Sequence, residues 1–238
     1  MQTRRGLLAG AAGTLAALSG CLGTEGGGAS TASPTPERTP NGTPAETTAS
    51  GPFGGHPAAR GLDDQPVLGD LGAGSVVVAF EDPSCTLCRR FEQQTLPRIE
   101  EELVATGEGA FVYRVYPIIY PWGKPAVQAL ESTFARDADA FWALKDHYYG
   151  QQDAFTTENV LDRTETFLAS ETDLDAAAVV DDARNERHDD AVQADLAAGE
   201  AAGVGSQTPV FYLFSEGEFQ TRISGPQDYS VFAAALGK

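Results

Sequence analysis

Cys85 and Cys88 follow directly on the apolar run Val76-Val77-Val78-Ala79-Phe80 and open a stretch in which Leu87, Phe91, Leu96, Ile99 and Leu103 recur at near-helical spacing. A continuous β-branched run is the pattern of a strand buried on both faces, so the two thiols arrive where such a strand hands over to a helix. A helix start presents unpaired backbone N–H groups and the positive end of the peptide dipoles, and both favour a thiolate on the first cysteine. A dithiol becomes useful when one sulfur attacks a substrate disulfide and the other, within bonding reach, resolves the mixed intermediate. Cys85 is the expected nucleophile and Cys88, one helical turn inside, the expected resolving thiol.

Spacing alone leaves other uses of the two sulfurs open. Zinc takes about four ligands, and beyond the cysteines the chain offers His56, His147, His188 and carboxylates. No metal and no organic cofactor is called for by the dithiol reading. A copper-delivery or chaperone module, or a structural domain with a static disulfide, stands as the alternative; Met1 is the chain's one methionine, which leaves copper no thioether partner elsewhere.

The first 55 residues have a different character. Met1 to Arg5 is basic, Gly6 to Gly20 is apolar and no acid precedes Glu25, the make-up of an export signal over residues 1–20. The apolar stretch is too short for a standard membrane span. Thr3-Arg4-Arg5-Gly6-Leu7-Leu8 resembles a twin-arginine signal, and Leu18-Ser19-Gly20-Cys21 resembles a lipobox that makes Cys21 the lipidated first residue. Lipidation of Cys21 leaves Cys85 and Cys88 as a self-contained pair. Residues 21–55 are rich in Gly, Ala, Ser, Thr and Pro and cannot bury enough surface to fold, so they read as a tether. Asn41-Gly42-Thr43 is a possible glycosylation acceptor within it. The expected location is the outer face of the cell membrane. The clients would be exported proteins with cysteines, alongside a redox partner that the sequence does not identify.

A formal net charge of −18, from 16 basic against 34 acidic side chains, excludes nucleic acid as a partner. The lysines are Lys124, Lys145 and Lys238, and this scarcity with the acid excess resembles the proteins of salt-loving archaea. Salt screens the self-repulsion of such a surface.

From residue 56 to 238 the pattern is that of a folded domain. A second strand is read over Phe111 to Ile119, where residues alternate, and Pro97 should kink the helix before it. Helical patterning then fills about 123–203, with segments near Glu158 to Ser170, Leu174 to Glu186 and Asp189 to Ala202. Val210 to Phe214 and Glu218 to Ile223 form a hairpin through Ser215-Glu216-Gly217, and Asp228 to Leu236 closes as a helix. The order gives an α/β sandwich with a helical cap.

Over roughly Ser75 to Gly237 the chain resembles the DsbA-like branch of the thioredoxin superfamily. The resemblance rests on the strand-CxxC-helix unit with Phe91 and Leu96-Pro97, on Phe141-Trp142, and on Gly205-Ser206-Gln207-Thr208-Pro209-Val210. It implies a thioredoxin-like fold with a helical domain inserted between a βαβ and a ββα half, and thiol-disulfide oxidoreductase activity through a redox-active Cys85–Cys88 disulfide. It further implies a cis bond before Pro209 beside the sulfurs, with Thr208 pairing to an extended client segment by strand addition. Read without the resemblance, Thr208-Pro209 is a turn that starts a strand.

Two features depart from the family's pattern. Thr86-Leu87 lacks the histidine found between the cysteines of strongly oxidising members, which implies a milder oxidant. Ala79 stands where a buried acid commonly relays protons to the inner thiol, and the spacing of Glu81 and Asp82 places them nearer the mouth of the site than its interior. Arg89 and Arg90 either lend positive field to the thiolate or point into solvent. The aromatics from Tyr113 to Tyr149 are expected mostly in the core of the cap, with some near Tyr120-Pro121-Trp122 lining a groove beside the thiols.

Overall fold

The computed structural model describes residues 52–238; residues 1–51, and with them the expected export signal, Cys21 and the Asn41 acceptor, lie outside the described residues. Five strands form one mixed sheet: β1 Val67–Gly69, β2 Ser75–Glu81, β3 Gly109–Val115, β4 Val210–Ser215 and β5 Glu218–Ser224, in the order β1-β3-β2-β4-β5. β2 and β3 run parallel, and the other neighbouring pairs are antiparallel. α1 Thr86–Gln94 and α2 Leu96–Ile99, extended by a π-helical turn over Glu100–Val104, cross from β2 to β3. Pro97 sits in the first turn of α2, where a missing N–H costs no helical bond, so the expected kink is a stop and restart at Thr95.

α3 Gly123–Phe134, α4 Ala138–Gly150, α5 Val160–Glu171, α6 Ala176–Arg184 and α7 Asp189–Ala202 separate β3 from β4, and α8 Tyr229–Ala235 follows β5. A βαβ half and a ββα half with a helical insertion between them make the thioredoxin-like α/β architecture expected above. The β4–β5 hairpin turns at Glu216 and Gly217, both with positive φ, the geometry that matches the twist of the strands it joins. Among the described residues no helix is long and apolar enough to cross a membrane.

Both faces of the sheet are covered. Val77, Ala79, Phe111, Tyr113, Phe211 and Leu213 pack with Phe91 of α1, Phe141 and Leu144 of α4, and Phe232 of α8. Val76, Val78, Phe80, Ala110, Val112, Tyr212 and Phe214 meet Ala58, Leu62 and Ala198 of α7. Burying a large apolar side chain stabilises by roughly 1.5–3 kcal/mol, so these two layers dominate the favourable side of folding. α7 approaches the sheet closely because Gly199 has no side chain: a Cβ there would stand 2.5 Å from Tyr116 Cε2.

β3 differs from the alternating strand read in the sequence. It ends at Val115, and every residue of it is buried. Arg114 points to the α7 side, where Nε donates to Asp195 Oδ1 at 2.9 Å and Nη1 donates to the carbonyls of Ala58 and Arg60. The second oxygen of Asp195 accepts the Val115 N–H at 2.8 Å, so a charged residue fits a two-sided core by pairing completely. β1 was not legible at all, being three residues on the sheet edge. Chain ahead of the expected boundary at 56 also packs here, the Phe53 ring lying 5.3 Å from that of Phe214.

Candidate active site

The dithiol turn is built by Asp82. Its carbonyl accepts the Cys85 N–H at 2.9 Å, and Oδ1 accepts the Ser84 N–H and hydroxyl at 2.8 and 2.6 Å. Oδ2 accepts the N–H groups of Ile118 and Ile119 at 2.8 and 2.7 Å, and Ser84 Oγ accepts that of Tyr120 at 3.0 Å. One buried carboxylate thus ties the end of β2 to the loop after β3. Burial raises its pKa while the hydrogen bonds from Ser84, Ile119 and Ile118 pull it back.

Cys85 is the N-cap of α1, and its sulfur accepts the Cys88 N–H at 3.4 Å. Its pKa is pulled down to about 6, first by the hydrogen bond from the Cys88 thiol, against burial, with further help from the Thr208 side chain and the N–H groups of Cys88 and Leu87. Cys88 goes the other way. It is completely buried, and burial, its donation to Cys85 and the negative charge of Glu81 push its pKa well above the usual thiol value. Both cysteines carry free thiols. The pair is therefore polarised into one sulfur ready to ionise at the helix cap and one held neutral beneath it.

Thr208 and Pro209, distant in sequence, are brought to the same place. The bond between them is cis, and the Thr208 carbonyl accepts the Cys85 S–H at 3.3 Å. Thr208 Oγ1 is buried and has no hydrogen-bond partner of its own.

The expectation that Glu81 lies near the mouth is wrong. Strand residues two apart share a face, so Glu81 projects with Ala79 and Val77 toward α1, and α4 roofs that end of the strand. Glu81 is fully buried, with Tyr149 donating to its Oε2 at 3.3 Å and the Glu92 carboxyl as its side-chain neighbour. Burial, then the charge of Glu92, raise its pKa well above the usual carboxylate range, with Lys145 opposing. Glu92 of α1 accepts a hydrogen bond from Lys145 of α4, and both are buried. Burial lowers the Lys145 pKa, but Glu92, Asp146 and Glu81 outweigh it and raise it to about 12. The sequence singled out neither Glu92 nor Lys145; a lone lysine inside an aromatic helix was the available signal.

Arg89 and Arg90 are engaged elsewhere, Arg89 with Asp153 at 2.9 Å and Arg90 with Gln94 at 3.2 Å. Trp122 belongs to the core of the cap rather than to a groove, its ring 5.3 Å from that of Phe155 and 6.2 Å from that of Tyr148. The exposed apolar side chains on the dithiol turn and its tied loop are Leu87, Ile118 and Tyr120, at 47, 38 and 53 %. His147 stacks on Phe167 at 4.1 Å and His188 lies 3.8 Å from Asp182, both away from the sulfurs. Among the described residues no three His, Cys, Asp or Glu side chains converge as metal ligands.

The family model described as thioredoxin matches residues 62–236. The chain is 32 % identical over 110 residues to a probable disulfide bond formation protein D of Bacillus cereus, covering 46 % of each chain. It is 29 % identical over 98 residues to disulfide bond formation protein D of Bacillus subtilis, covering 41 % of this chain and 43 % of that one. The alignments thus span a little under half the length of these curated relatives. Among solved structures, oxidised BdbD from Bacillus subtilis superposes with a TM-score of 0.66 at 21 % identity, over 74 % of this chain and 92 % of that one. α-DsbA1 from Wolbachia pipientis superposes at 0.61 and 18 % identity, over 74 and 90 %.

Proposed function

Because this chain belongs to the DsbA-like thioredoxin-fold family, we propose that it is an extracytoplasmic thiol-disulfide oxidoreductase that forms, reduces or isomerises disulfides in exported proteins. The observation that carries the reading is the placement of the two thiols: Cys85 caps α1, with its sulfur accepting the Cys88 N–H and facing the Thr208 carbonyl, while Cys88 is sealed in the core one turn on, an arrangement that pulls the first pKa down to about 6 and pushes the second up. At neutral pH the first is a thiolate and the second is not, which fixes the order of attack.

In the reducing direction Cys85 Sγ attacks one sulfur of a client disulfide, a Cys85–client bond forms, and the other client sulfur leaves as thiolate. Cys88 then gives its proton to the ionised form of Glu81, whose charge already bears on this thiol, and attacks Cys85 Sγ. The client leaves with both sulfurs reduced, and the protein keeps the Cys85–Cys88 disulfide. Run backwards, the same steps oxidise a client dithiol. Burial raises both the Glu81 and the Cys88 pKa, so each holds its proton more tightly than an exposed group would. Glu81 thus takes the place of the acid absent at Ala79. The S–H bond to the Thr208 carbonyl is lost when Cys85 ionises, freeing that carbonyl to pair with an extended client segment, and Leu87, Ile118 and Tyr120 offer apolar contact on either side.

The N-terminal motifs support a lipid anchor at Cys21 that holds this domain outside the membrane on the 21–55 tether. The reading is tested by mixing reduced Cys88→Ala protein with a disulfide-bearing protein such as insulin. A covalent adduct through Cys85 that excess dithiol dissolves is the expected product. No adduct at pH 7, with Cys85 shown accessible to a small alkylating agent, contradicts client exchange.

A further inference from the structure

The turn that carries Cys85 is held from above as well as from the sheet. Gln152, in the short turn Gln152–Ala154 that follows α4, is 5 % exposed. Its Nε2 donates to the carbonyls of Pro83 at 2.7 Å and Cys85 at 3.0 Å, across more than sixty residues of sequence. Only the NH2 end of an amide can face two carbonyl oxygens, so the orientation of this side chain is fixed by its partners. Its own carbonyl Oε1 is buried with no partner at all. Leaving an acceptor unsatisfied costs about 1–3 kcal/mol, which the two donated bonds must offset. The side chain is therefore held by its two donors alone, and both are spent on the dithiol turn.

The base from which Gln152 reaches is rigid. Phe155 is buried against Trp122 and Tyr148, both ring pairs 5.3 Å apart, and Asn159 Nδ2 donates to the Ala154 carbonyl at 3.0 Å. The neighbouring Asp153 pairs with Arg89 in the first turn of α1. Cap and redox helix thus meet at this turn through a buried amide flanked by an exposed ion pair.

We propose that Gln152 is a positioning residue of the redox centre, by which the helical insertion fixes the Pro83–Cys85 turn so that the Cys85 sulfur faces the N–H groups opening α1. The proposal rests on the oxidoreductase reading and gives the insertion a part in it. The Cys85 carbonyl accepts from Gln152 and from Arg89 N, at 3.0 Å each, and so is pinned from the cap and from the helix at once. With the Gln152 bonds gone, the turn is held by Asp82 and by the helix alone, and the 3.4 Å contact between Cys85 Sγ and the Cys88 N–H is the first to lengthen. A thiolate that loses those donors is a weaker acid's conjugate base, and less of it is present at a given pH.

The test is the pH profile of Cys85 thiolate, followed by absorbance near 240 nm and by the rate of iodoacetamide alkylation, in full-length protein and in Gln152→Met, which keeps length and loses both donors. Thermal melting is measured in parallel. The expected result is a midpoint raised by about one pH unit, so that alkylation at pH 6 slows about fivefold. Profiles that superimpose on the wild type, whatever happens to the melting temperature, overturn the proposal. Should Gln152→Met fail to fold, Gln152→Asn, which keeps the amide on a stem shorter by one methylene, is judged by the same criterion. The wild-type profile separates this from failure of the parent reading: a wild-type Cys85 that does not ionise below the ordinary thiol range sinks the oxidoreductase assignment itself.

Discussion

Cys85 and Cys88 are chemically identical side chains three residues apart, and their environments pull them in opposite directions. Cys85 sits at a helix cap and receives hydrogen bonds; Cys88 is sealed beneath it beside a carboxylate. Alkylation of reduced protein should titrate Cys85 with a midpoint near 6 and leave Cys88 untouched until far higher pH, with Cys85→Ser removing the low-pH phase. Linkage fixes the sign for stability. The folded pKa is depressed from 9.0 to about 6, so the contribution is complete above the unfolded value and is lost as pH falls through the folded one. Melting of the reduced protein relative to its Cys85→Ser variant should thus improve from pH 6 to pH 9, and a flat difference would contradict the assignment. At Glu81 the prediction is kinetic. Glu81→Gln should slow release of the mixed disulfide by about a hundredfold, the low end of what a positioned proton acceptor contributes. Quenched-flow separation of adduct formation from adduct decay reads that step directly; equal decay rates would assign the proton to another group.

Between elements, charge is used where apolar packing alone would be ambiguous. Lys145 on α4 meets Glu92 on α1, and Arg114 on β3 meets Asp195 on α7, so each face of the sheet carries one buried ion pair that registers a cap helix. Removing one partner of such a pair strands a buried charge. Lys145→Met should therefore cost about 3–5 kcal/mol of stability in denaturant unfolding, and adding Glu92→Gln should recover part of it. Glu131 on α3 behaves as a buried neutral acid, raised to about 8 by burial and by the Asp195 charge against the pull of Arg114. With the folded pKa above the unfolded one, its stabilising contribution is full below about 4.5 and is lost as pH rises through 8. Glu131→Gln should thus melt higher than the wild type at pH 8 and converge with it near pH 4.5. None of these pairs was legible in the sequence, since each partner is one acid or base among many and only the fold selects which two meet. The strand carrying the dithiol, the hairpin and the helix breaks were legible, because periodicity, Gly and Pro act locally. Glu81 lies between these cases: its period-2 relation to Ala79 is readable in the sequence, but the roof supplied by α4 is not.

For the whole molecule, the acid excess and the N-terminal motifs make predictions that the domain's interior does not. With a net charge of −18, self-repulsion that concentrated salt screens should return on dialysis. The melting temperature should fall between molar and millimolar salt, and an unchanged value would remove the salt-adapted reading. Intact-mass analysis of membrane-extracted protein should find Cys21 at the amino terminus carrying lipid; an intact Met1 would refute the anchor. Both concern where the protein works. What it does rests on whether Cys85 and Cys88 exchange electrons reversibly with other thiols. The most direct measurement equilibrates the protein across reduced and oxidised glutathione mixtures and quenches by acid and alkylation. The account predicts a smooth passage of both sulfurs, together, from alkylated dithiol to protected disulfide as one two-electron couple. A pair that stays wholly thiol or wholly disulfide across the entire range would contradict it.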